Sequence, residues 1–217
     1  GLERGAPFLN PAPSKPILNP FTHPRRSHGD LDAGTCGHEV DRLTLTPHEL
    51  LLLRRRAQER LADYMGYIEV PGRPVSDDGD LYEQVETSMA EHHRVMCDAI
   101  QRTMERRYGR LMIFAPPGAS KSTCVSIVAP TWGMGKWPRK RYIIAGHNSD
   151  IATTQSKKAR SICKTTRYQT LFDTAIPADQ RAADEWALTN GSTMIAGGIM
   201  SGIAGHRVDG IFFDDPH

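Results

Sequence analysis

The chain of 217 residues contains no apolar run near the roughly 18 residues that a membrane span needs, and its proline-rich start lacks the apolar stretch of a signal peptide. These absences predict a chain without a membrane segment, cytosolic by default. There is no C-x-x-C pair: Cys36, Cys97, Cys124 and Cys163 lie far apart with no repeating spacing, which excludes a disulfide framework and reads as reduced thiols. Charge of one sign is also scarce. Lys and Arg total 27 against 25 Asp and Glu, a net +2, too near zero for a chain that coats nucleic acid along its whole surface. A polyanionic partner must therefore meet a local patch. His23, His28, Cys36 and His38 cluster loosely, but their spacing matches no metal-binding pattern.

With 39% hydrophobic and 24% charged residues the chain can bury a core, and its length suits one large domain or one domain with an arm. Residues 1–45 hold Pro7, Pro11, Pro13, Pro16, Pro20 and Pro24 without apolar periodicity and read as a mobile arm. Residues 46–217 read as the folded domain, with a helical lead-in over 46–107 and a core over 108–217. Thr46-Pro47-His48-Glu49 has the form of a capping box with proline in the first turn. The helix it opens is expected to run to about Gly66, burying Leu50, Leu53, Ala57, Leu61, Tyr64 and Met65. Gly72, Pro74, Asp77, Asp78 and Gly79 mark a loop, and residues 82–107 read as a second helix.

Beyond this the pattern becomes strand, helix, strand, helix, the order of an α/β domain. Leu111–Ala115 is a short continuous apolar run of the kind buried on both faces of a sheet. A helix is expected over 121–130, a strand over Arg141–Ala145, and a helix from Asp150 as N-cap to Lys164. Two short runs, Trp186–Thr189 and Thr193–Ala196, flank Asn190-Gly191 and predict a hairpin. Val208–Phe213 is the last expected strand, ending at Asp214-Asp215-Pro216.

The residues that suggest chemistry lie in Leu111-Met-Ile-Phe-Ala-Pro-Pro-Gly-Ala-Ser-Lys-Ser-Thr123. A strand, a tight loop and Lys-Ser-Thr at a helix start is the layout of a phosphate-binding loop. Backbone N–H groups and the positive end of a helix dipole favour anions there, a lysine reaches the β- and γ-phosphates, and a hydroxyl meets Mg²⁺. The candidate nucleotide-binding residues are Pro117, Gly118, Ala119, Ser120, Lys121, Ser122 and Thr123. The plain G-x-x-x-x-G-K-[ST] template is not met, because its glycine positions hold Ala115 and Ser120. The alternative is a Pro-Gly turn before an ordinary helix. Asp214 and Asp215, at the end of a strand and 93 residues or more beyond Lys121, supply the carboxylates such a loop requires. Asp214 is the candidate metal ligand with Ser122, and Asp215 the candidate to orient or deprotonate a water; the alternative is a turn closing a strand. Gln84 and His93 are both candidates to contact a base.

From about His92 to its end the chain resembles the ATPase domain of the large terminase subunit of tailed bacteriophages, the motor that packages genomic DNA. The resemblance is carried by His92-His93-Arg94, Arg110–Thr123, Ile143–Ser149 with Ala159-Arg160, Tyr168–Phe172, Ala183–Trp186, and Gly202–Arg207 leading into Ile211–Pro216. It implies a P-loop NTPase fold of the ASCE type, ATP and Mg²⁺ as cofactors, and Lys121 and Asp215 as catalytic residues. It further implies double-stranded DNA, a homo-oligomeric ring, the portal protein and the small terminase subunit as partners, in the host cytoplasm and at the procapsid portal. Many family members carry arginine at the position of Gly118 and glycine at that of Ser120. Arg207 matches a family glycine–arginine position and is the candidate arginine finger; a salt bridge to Asp209 is the alternative. The family's sheet has a further strand and its nuclease domain follows later in sequence, so this chain is expected to lack DNA cleavage and to need completion for turnover.

Between Lys136 and Arg167, nine Lys or Arg residues (Lys136, Arg139, Lys140, Arg141, Lys157, Lys158, Arg160, Lys164 and Arg167) stand against one acid, Asp150. Such a tract suits sequence-independent phosphate contacts, or else a solvated helix face. The other readings of the chain are a non-catalytic assembly or DNA-binding fragment and another P-loop enzyme such as a helicase.

Overall fold

The computed structural model describes residues 45–75, 81–179, 182–199, 203 and 205–214. The expected arm lies outside the described residues apart from Leu45, as do Cys36 and the histidines near it. Asp77, Asp78 and Gly79 of the expected loop lie outside them too.

Thr46 caps α1 (Pro47–Glu59) as its sequence demands. Its hydroxyl accepts the Glu49 N–H at 3.3 Å while the Glu49 carboxylate accepts the Thr46 N–H at 2.9 Å. The helix does not continue to Gly66. Arg60 is extended, and α2 (Leu61–Tyr67) starts after it. The break is stabilised from elsewhere: Gln101 accepts the Leu61 N–H at 2.9 Å and donates to the Glu59 carbonyl at 3.0 Å, replacing intrahelical partners on both sides. Ala57, Leu61, Tyr64 and Met65 are buried as the periodicity predicts, whereas Leu50 and Leu53 are only half-buried.

The single helix expected over 82–107 is corrected. Tyr82–Glu86 forms β2, antiparallel to β1 (Glu69–Pro74), and only Glu91–Met104 is helical, as α3. Pro71, Gly72 and Pro74 give β1 little strand signal, so the pair is specified by its cross-strand register, Val70 opposite Val85, rather than by local preference.

A four-stranded mixed sheet organises the rest. Its order is β4 (Glu185–Ala187), β5 (Thr193–Gly198), β3 (Arg141–Gly146), β6 (Gly210–Asp214); β3 runs parallel to both β5 and β6, and β4 antiparallel to β5. With helices packed on it, this is an α/β architecture. The hairpin between β4 and β5 forms, although its connection spans residues 188–192 with Gly191 at φ +83°. The helix after β3, α5 (Ser149–Cys163), is capped by Asn148, whose side chain accepts the Ile151 N–H at 2.9 Å, and not by Asp150. Next comes α6 (Thr166–Phe172).

The expected strand Leu111–Ala115 is also corrected. None of the described strands pairs with it, and Met112 and Phe114 are 77% and 88% exposed. A continuous apolar run becomes a central strand only where a neighbour supplies its ladder, and among the described residues the sheet ends at β6.

The core lies between the sheet and α2–α5. Tyr142, Ile144, Met194 and Phe212 meet Trp132, Met134, Ile162 and Trp186 there. Three of its aromatic residues have their polar tips satisfied: Trp132 donates to the Ala57 carbonyl at 3.1 Å, Trp186 to Ser156 Oγ at 2.9 Å, and Tyr168 to the Thr131 carbonyl at 2.9 Å. Among the described residues, no helix is long and apolar enough to cross a membrane.

Candidate functional site

Residues 117–119 turn the chain, although the strand they were expected to end does not form. Gly118 has φ +82°, and two residues on Ser120 has φ +56°. Serine here takes the left-handed backbone at the position where the phosphate-loop template calls for glycine, a conformation that costs an L-residue about 1–2 kcal/mol. The chain turns helical at Lys121 and Ser122, passes through a π-helical stretch, Thr123–Val128, and continues as α4 (Ala129–Lys136). The wider turn is recorded by the Ala129 N–H, which reaches back to the Cys124 carbonyl. The loop, the two left-handed residues and the helix start thus adjoin one another. Lys121 and Thr123 are half-buried, whereas Pro117 and Gly118 are exposed.

The opposite wall is the C-terminal end of β6. Asp214 is 5% exposed, and both carboxylate oxygens are engaged. The Ser122 hydroxyl donates to Oδ1 at 2.8 Å, and Gln155 Nε2 donates to Oδ2 at 3.2 Å. Two residues paired from sequence, Ser122 and Asp214, are therefore in direct contact. Gln155 was not singled out. Its signal was a glutamine on the same face of α5 as the buried Ala152, Ala159 and Ile162, where an apolar residue fits the pattern.

A hydroxyl and a carboxylate are hard oxygen donors of the kind Mg²⁺ takes, and that ion commonly uses one or two carboxylates, substrate phosphates and several waters. A further observation fits: Gln155 Oε1 is buried and has no hydrogen-bond partner among the described residues. Ser122, Asp214 and Gln155 thus suit a hydrated hard cation. No group of three or more His, Cys, Asp or Glu able to enclose a metal occurs among the described residues.

The remaining candidates are dispersed. Asp215 lies outside the described residues. Arg207 is exposed, and Asp209 pairs not with it but with Lys140, at 2.7 Å, while also accepting the Arg141 N–H at 2.9 Å. Burial pulls the Asp209 carboxyl upward, but the Lys140 and Arg141 hydrogen bonds outweigh it and hold the group below its ordinary value. Gln84 lies on β2, not on a helix, and donates to the Tyr82 carbonyl at 3.1 Å. His93 Nδ1 accepts the Ala90 N–H at 3.2 Å, and its ring lies 4.0 Å from that of His92; burial and then His92 lower its pKa.

The basic tract does not form one stripe. Lys136 lies 4.2 Å over the Trp132 ring and 3.4 Å from Glu105. Lys140 serves Asp209, Arg160 is 4% exposed, and Arg167 meets Glu69 at 2.9 Å and Glu86 at 3.6 Å. Much of the charge counted from sequence is thus engaged within the fold; Arg139 and Lys164 are exposed.

Compared with known proteins, the chain matches no family model and no curated protein, so the functional reading rests on the resemblance of its motifs and on the contact between Ser122 and Asp214.

Proposed function

We propose that this chain is a P-loop domain of the ASCE type, the ATPase domain of a phage large terminase subunit, which hydrolyses ATP to drive double-stranded DNA into a capsid. Its partners in that role are DNA, further copies of the chain in a ring, the portal protein and the small terminase subunit. The observation that supports the reading best is the 2.8 Å hydrogen bond from Ser122 to Asp214, which joins the start of the loop helix to the end of β6. Left-handed backbone at Gly118 and Ser120 adds to it.

In this mechanism, backbone N–H groups of residues 118–123 receive the phosphates at the helix start, where the helix dipole favours negative charge. Lys121 places its ammonium against the β- and γ-phosphates, and Thr123 offers a hydroxyl to the α-phosphate. Ser122 and, through water, Asp214 would hold Mg²⁺, which would supply charge neutralisation at the phosphates. The Ser122 oxygen would meet the cation through a lone pair while its O–H still donates to Asp214 Oδ1. Asp215 orients the attacking water, and Arg207 approaches the γ-phosphate.

A second reading, a DNA-binding or assembly domain without turnover, is favoured by the Leu111–Ala115 segment, which pairs with none of the described strands and exposes Leu111, Met112 and Phe114. Phosphate release with Mg-ATP, measured with and without duplex DNA, separates the two. The motor reading expects release that DNA stimulates and that Lys121→Ala abolishes. Heat stabilisation by Mg-ATP without release supports the second reading, and no stabilisation by Mg-ATP counts against both.

A further inference from the structure

Asp214 is approached from two sides by neutral donors. Ser122 occupies Oδ1 from the loop helix, and Gln155 occupies Oδ2 from α5. The orientation of the Gln155 amide follows from this contact, since the flipped amide would set its carbonyl oxygen against a carboxylate oxygen. Oε1 is consequently the amide atom that Asp214 does not engage. It is buried, and no hydrogen bond satisfies it among the described residues.

A buried acceptor left unmatched is unfavourable, and a leucine of similar size would fill the same place on the apolar face of α5 without that cost. The amide is therefore suited to a state in which a donor arrives. Waters on a divalent cation are strong donors, and Mg²⁺ keeps several of them when it binds through one or two carboxylates. We infer that Gln155 is a positioning residue for the cation at Asp214: its N–H holds the carboxylate in place, and its Oε1 accepts a hydrogen bond from a cation-bound water. The assignment rests on the reading of the site as a Mg-nucleotide site. It gives α5 a part in that site which Lys121, Ser122, Thr123 and Asp214 do not fill. It also gives a reason for a glutamine among Ala152, Ala159 and Ile162.

The test is a Mg²⁺ titration of thermal stabilisation at saturating ATP, comparing the full chain with its Gln155→Leu variant. Loss of an outer-shell partner typically lowers metal affinity about 10–100-fold. The expected result is a rise of that order in the Mg²⁺ concentration giving half the melting shift, with circular dichroism and melting temperature in EDTA close to those of the unsubstituted chain. A purely structural role would move the melting temperature in EDTA and leave the Mg²⁺ midpoint in place, and that result overturns the inference. If the unsubstituted chain shows no Mg-ATP shift, the nucleotide reading fails and the inference with it; a shift in which both proteins share one midpoint overturns the inference alone. Should Gln155→Leu fail to fold, Gln155→Glu carries the test. It keeps an acceptor but sets a second carboxylate against Asp214, so its melting temperature should fall in EDTA and recover with Mg²⁺ alone. No recovery overturns the inference.

Discussion

Ser122 and Asp214, separated by 92 residues of sequence, meet at 2.8 Å through a hydroxyl donating to a buried carboxylate. The bond ties the first turn of the loop helix to the last residue of β6, so it contributes to stability as well as to the proposed site. A hydrogen bond to a charged group is worth about 1.5–3 kcal/mol. Ser122→Ala should therefore lower unfolding stability by about that amount in urea titrations without nucleotide. An unchanged midpoint would show that the contact is not maintained in solution.

Ser120 has φ +56°, where a side chain is strained and glycine is not. Ser120→Gly should stabilise the chain by about 0.5 kcal/mol, the relief of strain less the added entropy of the unfolded glycine. Gly118→Ala tests the same backbone from the other side. No atom lies within 4 Å of an added Cβ at Gly118, so the whole effect comes from the +82° φ and should be a loss of about 1 kcal/mol. Thermal melts of the two variants moving in the same direction would refute this account of the loop.

Asp209 anchors the start of β6 to the start of β3 through Lys140 and the Arg141 N–H. Its carboxyl is held below the ordinary value of 3.8 in the folded state. The contribution is complete above that unfolded-state value and is lost as pH falls through the lower folded-state one. The pair is partly exposed, so screening limits it to about 0.5–1 kcal/mol. Asp209→Asn should melt earlier than the unsubstituted chain at neutral pH and low salt, with the gap closing as pH falls below the carboxylate range. A gap that widens on acidification would contradict the assignment.

Cys97, Cys124 and Cys163 are buried and unbridged. Burial raises the Cys163 thiol far above its ordinary range, and the hydrogen bond with Cys124, then burial, raises that of Cys97. Alkylation of these two positions in the native protein should be slow and should accelerate in step with unfolding. Peptide mapping by mass spectrometry reads each site separately, and full labelling of Cys163 within minutes under native conditions would contradict its burial.

What the sequence determined by itself was mostly local. The Thr46 cap, the buried face of α1 and α2, the helix after Ser120, the strands at Arg141 and Gly210 and the turn at Asn190-Gly191 follow from capping groups, apolar spacing and turn residues acting over a few positions. Ser122 and Asp214 were likewise legible, because hydroxyl and carboxylate stand at the ends of recognisable elements. The tertiary structure decided whatever depends on a distant partner. Gln101 of α3 stabilises the break at Arg60, and β1 registers with β2 where residues 82–86 alone read as helix. Leu111–Ala115 pairs with none of the described strands despite its strand-like composition, and Lys136, Lys140 and Arg167 of the basic tract are engaged by Glu105, Asp209, Glu69 and Glu86. Gln155 belongs to this second group: a glutamine in a helix is unremarked until folding brings its amide against Asp214. The physical reason is common to all these cases. Helix caps and turns are satisfied by groups a few residues away, whereas strand ladders, ion pairs and buried amides are satisfied only across the fold.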